Sequence, residues 1–254
     1  MFPRLLSTCT AHLPSGLKYK LKNLKPIYNR LVQLGSPVVE VNSSAGLFKW
    51  RIDEITSQEF ILGAYESYMQ EAFVRLIRPG FTVYDVGAQA GFHSMVCSLL
   101  VGSEGTVVAF EPNPANLSSI NQQLLVNKVS NTVVMDCALG EHVEPACLDI
   151  TGGSKQGFVN NAGEVAIEVK TIDSLSDTLP PPNLIKIDVD GYEEQVIRGG
   201  MATIKKHSPI IVCDPNDDQT SSLLESMLRA VGYELTSAMP ITFQPAEVTP
   251  SRYD

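Results

Sequence analysis

Between residues 82 and 243, short apolar runs alternate with amphipathic helical patterns, and this alternation leaves few folds open. Strands read at 82–86, 107–110, 132–136, 184–189, 210–213, 233–236 and 241–243, with helices at 91–101, 114–127, 192–205 and 219–231. Buried strands separated by helices demand a mainly parallel sheet covered on both faces. Upstream, Met69, Phe73, Leu76 and Ile77 recur at helical intervals over 66–77, and Arg78-Pro79-Gly80 stops that helix. Runs at 38–41 and 47–52 read as a β-hairpin, and 146–150 with 165–169 as an inserted hairpin around the Gly/Ser/Asn-rich loop 151–163, a candidate substrate lid. The expected fold class is α/β and Rossmann-like: a mainly parallel seven-stranded sheet with helices on both faces. A chain of 254 residues suits one such domain, 65–254, behind an N-terminal extension, 1–64, made of a basic helical segment and the hairpin.

Charge narrows the partners. Residues 1–39 hold Arg4, Lys18, Lys20, Lys22, Lys25 and Arg30 and no acid, so the rest of the chain sets 28 acids against 13 bases. An acidic body argues against nucleic acid, whose phosphates need clustered Lys and Arg. In the basic segment Leu17, Leu21, Leu24, Ile27, Tyr28 and Leu31 follow helical spacing, interrupted by Pro26. It reads as a helix packed on the domain or a loose tail, with contact to a membrane surface as the competing expectation. No run of about 18 apolar residues could cross a bilayer, and the N-terminus is too polar for a secretory core, so a soluble cytoplasmic protein is expected. Five cysteines without a CxxC pair imply neither a disulfide framework nor a thiolate zinc site.

Ligands of open α/β sheets bind beyond the carboxyl ends of the strands. At the first strand end, Asp85-Val86-Gly87-Ala88-Gln89-Ala90-Gly91 joins strand to helix through a glycine turn, where backbone approaches a ligand and a helix N-terminus offers amides to an anion. Asp85 is there to accept from an ammonium group or to orient the loop. Glu111 closes the second strand, where a carboxylate accepts from two ribose hydroxyls, with Asn113 two residues on. Asp136 and Ala138 follow the third strand, the acid a candidate partner for an adenine amino group. In Ile187-Asp188-Val189-Asp190-Gly191, period-two alternation puts Asp188 and Asp190 on one side. Asp188, Asp214 and Asn216 offer the oxygen ligands magnesium prefers, but no spacing defines a metal site, and magnesium stays an open expectation.

These stretches resemble the FkbM family of S-adenosylmethionine-dependent methyltransferases. The resemblance is carried by Tyr65-Glu66, the run from Ile77 to Ala88, Val108 to Pro114, Ala138-Leu139-Gly140, Ile185 to Gly191 and Ser208 to Val212. It implies a class I methyltransferase fold with an antiparallel seventh strand, S-adenosylmethionine as cofactor, and methyl transfer to a hydroxyl of a sugar, glycan or polyketide-like molecule. Asp85, Gly87 and Gly91 match the family's first cofactor motif, Glu111 its ribose acid and Asp188 the acid ending its fourth strand; Ala88 and Gln89 lie within the same turn. The chain departs from the family at Gln89-Ala90, where Asn followed by Ile or Val is common, and at Asp190 and Asp214, where Glu is usual. On this reading Asp188 or Asp190 is the general base, His93 a second candidate and Glu66 a cap over the cofactor. Competing readings are a nicotinamide-dependent oxidoreductase, for which the turn lacks the third glycine, and a non-catalytic binding module, which would not need Asp188 and Asp190. Oligomeric state leaves no mark in the sequence.

Overall fold

The computed structural model describes residues 37–149, 158–160, 163–215 and 217–246. The basic segment, most of the 151–163 loop and Asn216 lie outside the described residues. An antiparallel hairpin, β1 (Val38–Ser43) and β2 (Gly46–Arg51), leads to helices α1 (Gln58–Ile61) and α2 (Ser67–Leu76). The core domain follows as β3 (Thr82–Val86), α3 (Phe92–Val101), β4 (Thr106–Phe110), α4 (Pro114–Asn127) and β5 (Thr132–Met135). A smaller sheet comes next, built from β6 (Ala138–Leu139), β7 (Glu144–Asp149), β8 (Phe158–Asn160) and β9 (Val165–Lys170). The chain then returns to the core through β10 (Leu184–Ile187), α5 (Glu193–Gly199), α6 (Met201–His207), β11 (Ile210–Cys213), α7 (Asp218–Arg229), β12 (Tyr233–Ala238) and β13 (Ile241–Pro245).

Among the described residues the central sheet has seven strands in the order β12-β13-β11-β10-β3-β4-β5. The five strands from β11 to β5 run parallel, and β13 is antiparallel to both of its neighbours. This is the mainly parallel, Rossmann-like sheet read from the sequence, with the antiparallel seventh strand of the class I methyltransferase fold that the family resemblance implies. Every residue of β3, β10 and β11 is buried, the signature of parallel strands covered on both faces. The topological switch falls between β3 and β10, from which the strand order runs outward in opposite directions, and opens a crevice at their carboxyl ends.

The hairpin is joined firmly to the core domain. Phe48 and Trp50 of β2 pack against Phe92 of α3, with Phe60 stacked on Phe92 at 5.2 Å between ring centroids. The open edge of β2 is closed by two amide side chains of α4. Gln123 exchanges both its amide bonds with Arg51 at 2.8 and 2.9 Å, and Asn127 does the same with Lys49 at 2.6 Å each. A helix thereby supplies the donors and acceptors that a neighbouring strand would otherwise supply.

Two expectations need correction. The helix read over 192–205 is split at Gly199-Gly200, where Gly200 leaves helical geometry at ψ 6°; Gly199 lies so close to the Gly140 carbonyl that a side chain there would collide with it. The fourth core strand ends at Ile187, not 189, and Asp190 adopts a left-handed conformation at φ 49°. Period-two alternation therefore does not relate Asp188 to Asp190. The inserted hairpin does form, as β7 paired with β9, extended by β8 on one side and β6 on the other.

Candidate active site

A cavity of about 490 Å³ opens where β3, β4 and β10 end, a size suited to a small ligand. Glu66, Gly87, Ala88, Gln89, His93, Glu111, Asn113, Ala138, Asp188 and Asp190 all line it, as does Asp214. Asp85, Gly91 and Asp136, also read as cofactor-binding, do not.

Asp85 and Gly91 act from behind the lining. Asp85 is wholly buried in the middle of β3, and the β3–β10 register sets it directly beside Lys186, another buried charge in an otherwise apolar strand. The Lys186 Nζ lies 3.0 Å from Asp85 Oδ1, and Ser94 donates to Asp85 Oδ2 at 2.5 Å. Burial alone would raise the Asp85 carboxyl, but the facing ammonium holds it below its ordinary value; the same pairing, with Asp188, raises Lys186 against its own burial. Lys186 reaches on to the carbonyl of Gly87 at 2.9 Å and to Asp188 Oδ2 at 3.4 Å. The ammonium that Asp85 serves is thus the protein's own, and through it Asp85 orients the turn. Sequence reasoning gave Lys186 no role, although one acid and one base in adjacent apolar core strands was the available signal. Gly91 is the left-handed N-cap of α3 at φ 87°. Asp136 is exposed, and Cys137, Ala138 and Leu139 face the cavity in its place.

Gly87 explains why the turn needs glycine. It sits at φ 77°, and a Cβ there would collide with the Asp188 carbonyl oxygen. Removing the side chain lets the end of β3 touch the end of β10 and leaves the cavity floor as bare backbone.

Glu111 stands at the other side of the turn. Gln89 N–H donates to its Oε2 at 2.8 Å, while Asn113 N–H at 2.8 Å and Asn116 Nδ2 at 3.2 Å donate to Oε1. Burial pushes its carboxyl up to about 7 in spite of these donors. Asn113 also caps α4, accepting from Ala115 N–H at 3.0 Å. Asn116, not anticipated from the sequence, lies in the first turn of α4, and its buried Oδ1 has no hydrogen-bond partner. Phe110, Cys137, Leu139 and Leu148 make the neighbouring wall apolar.

Acids and phenols gather at the opposite end. Glu66 sits in a left-handed conformation at φ 41° just before α2, and burial, with Asp188 nearby, raises its carboxyl to about 7. His93 is 4% exposed, ringed by Tyr65, Phe73 and Phe92, with Nε2 at 3.6 Å from Glu66 Oε2. Burial, reinforced by Lys186, lowers its imidazole to about 4, so it is neutral at pH 7 and a weak proton acceptor. Tyr68 donates to Asp214 Oδ2 at 2.5 Å. Among the described residues no group of three or more His, Cys, Asp or Glu side chains is arranged to hold a metal ion, and magnesium finds no support. Asp188 faces Lys186, Asp214 faces Tyr68, and Asn216 lies outside the described residues.

The model of the methyltransferase FkbM domain matches residues 85–235, more than half of the chain and all of the strand ends described above. The chain belongs to the FkbM methyltransferase family. A hexuronic acid methyltransferase, AglP, of Haloferax volcanii is 26% identical over 181 residues, covering 66% of this chain and 69% of its own length. Methyltransferase 1 of Beauveria bassiana is 26% identical over 188 residues, covering 60% and 73% respectively. A crystal structure of methyltransferase FkbM from Methylobacillus flagellatus aligns with 89% of this chain at a TM-score of 0.49 and 16% identity; this chain spans 59% of that one. Family membership speaks for methyl transfer over the nicotinamide reading of the glycine turn. No helix among the described residues of this FkbM methyltransferase is long and apolar enough to cross a membrane.

Proposed function

We propose that the protein is an S-adenosylmethionine-dependent O-methyltransferase acting on a hydroxyl of a sugar, glycan or similar small polyol. The observation that carries this reading is the two-ended cavity, with Glu111 held rigidly at one end and an acidic, phenol-lined end beside Asp188 at the other. The lining fits the cofactor in three respects. Glu111 presents a carboxylate to ribose hydroxyls, its orientation set by Gln89, Asn113 and Asn116. Phe110, Cys137, Ala138 and Leu139 offer apolar surface for an adenine, and the backbone of Gly87 to Gln89 leaves room for the amino-acid end because no side chain at Gly87 fills it. When bound, S-adenosylmethionine supplies an electrophilic methyl group on a sulfonium.

The protein's own work is alignment and proton removal. Lys186 ties the Gly87 carbonyl to Asp188, so the floor of the turn and the acid beside it move as one unit. The aromatic packing of Tyr65 and Phe92 around His93 excludes water from the back of the site. The hexuronic acid methyltransferase relative supports a sugar as acceptor. Tyr192 and Asp190, which also line the cavity, suit a polar ring bearing hydroxyls.

Calorimetry with S-adenosylhomocysteine and with NAD tests the cofactor. The expected result is binding of the first and none of the second, with Glu111→Gln weakening the first by roughly 10- to 100-fold through loss of charge-assisted hydrogen bonds. NAD binding, or unchanged affinity in Glu111→Gln, would refute the reading. Methyl transfer from S-adenosylmethionine to methyl glycosides of hexoses and hexuronic acids then tests the acceptor class.

A further inference from the structure

We infer that Glu66, outside the strand-end motifs, is the catalytic residue that takes the acceptor's proton. The assignment rests on the methyl-transfer reading above and names the base within it. Three observations converge on this side chain. It lines the cavity at the acidic end, and its Oε2, though buried, has no hydrogen-bond partner. Its backbone is left-handed at φ 41°, ψ 57°, a conformation that costs a non-glycine residue energy and that gathers at functional sites. The neighbouring acids are committed elsewhere: Asp188 Oδ2 faces the Lys186 ammonium, Asp214 Oδ2 accepts from Tyr68, and Asp190 is not free.

The groups that face Glu66 come from every element around it. Tyr65, its chain neighbour, hydrogen-bonds the carboxylate, and Tyr68 approaches from the first turn of α2. His93 approaches from α3, Asp188 and Lys186 from β10 and the turn after it, and Asp214 from the end of β11. Burial and Asp188 together raise the Glu66 carboxyl to about 7, which puts its ionised form within reach at neutral pH while leaving it basic enough to hold a proton. His93, neutral and unpartnered at Nε2 only 3.6 Å from Glu66 Oε2, offers an acceptor toward which the protonated carboxyl can turn after transfer.

In the step itself the acceptor oxygen forms its bond to the methyl carbon as the methyl–sulfur bond breaks, the electron pair staying on sulfur. The hydroxyl proton passes to Glu66, so a carboxylate and a sulfonium are neutralised together.

Two measurements on the full chain decide the matter. In protein carrying carboxyl-labelled ¹³C-glutamate, the resonance lost in Glu66→Gln should titrate near pH 7; titration in the ordinary glutamate range would overturn the assignment. For methyl transfer to the methyl glycosides, kcat should rise with pH through about 7 and then level. Glu66→Gln should lower kcat by roughly 10²- to 10⁴-fold and abolish that rise, with S-adenosylhomocysteine affinity within a few-fold of wild type. Glu66→Asp, which keeps a carboxylate, should recover part of the rate. If Glu66→Gln keeps the wild-type kcat and pH profile, or loses only cofactor affinity, Glu66 is not the base. A wild-type protein that binds no S-adenosylhomocysteine strikes the methyl-transfer reading itself, and the Glu66 assignment falls with it.

Discussion

Gly87 shows how much one side chain, or its absence, determines at this site. Its positive φ and the Asp188 carbonyl lying where a Cβ would go make two separate demands for glycine. Gly87→Ala should therefore lose at least about 2 kcal/mol of stability, combining left-handed strain with overpacking, and should weaken S-adenosylhomocysteine binding at the same time. Chemical denaturation with calorimetry checks this; a variant as stable and as tight-binding as wild type would show that the turn is not as confined as its geometry. The glycine itself was legible in the sequence, because a strand running into a helix through Gly87 and Gly91 has few alternatives. The contact that forbids a side chain was not, since Asp188 lies a hundred residues away and touches Gly87 only through the pairing of β3 with β10.

At the level of elements, the hairpin illustrates a dependence that local pattern does not reveal. Its alternation of apolar and polar residues was readable; β1 runs two residues beyond the expected strand and β2 has the expected length, shifted one residue toward the turn. That β2 would be edged by a helix was not readable, because Gln123 and Asn127 look like ordinary polar positions of α4. Gln123 is nevertheless fully buried. Replacing both with Ala removes the four hydrogen bonds to β2 and leaves the backbone of Lys49 and Arg51 to find water, at a cost of roughly 2–4 kcal/mol. Hydrogen exchange should show the Lys49 and Arg51 amides losing protection before those of β3; equal protection in the double variant would mean that the hairpin is held by its aromatic core alone. The Gly199-Gly200 pair between α5 and α6 has a similar origin, since Gly199 meets the Gly140 carbonyl and Gly200 the Ile172 side chain only once the small sheet packs against α5.

For the molecule as a whole, the cavity's titrating groups make stability depend on pH in opposite directions. Glu111 and Glu66 are both raised from 4.5 to about 7, so what they contribute is fully present below about 4.5 and is lost as pH rises through about 7. His93 is lowered from 6.5 to about 4, so its contribution is present above 6.5 and lost as pH falls through about 4. The ligand-free protein should melt several degrees lower at pH 8 than at pH 6, with nearly buried Glu111 accounting for at most roughly 1.4 kcal/mol of the fall over that interval and Glu111→Gln flattening it. A melting temperature independent of pH over that interval, or an unchanged slope in the variant, would count against the burial of these carboxyls as the cause. The sequence by itself determined the sheet, its parallel run of strands, the glycine turn and the acids at the strand ends, because hydrophobic periodicity and backbone stereochemistry are local and leave a local record. Only the tertiary structure decided which acids reach the cavity. It set Asp85 against Lys186 inside the sheet, turned Asp136 outward, committed Asp188 and Asp214 to partners and left Glu66 with an unpaired oxygen, since burial and the nearest opposite charge are properties of strands and helices brought together from distant parts of the chain.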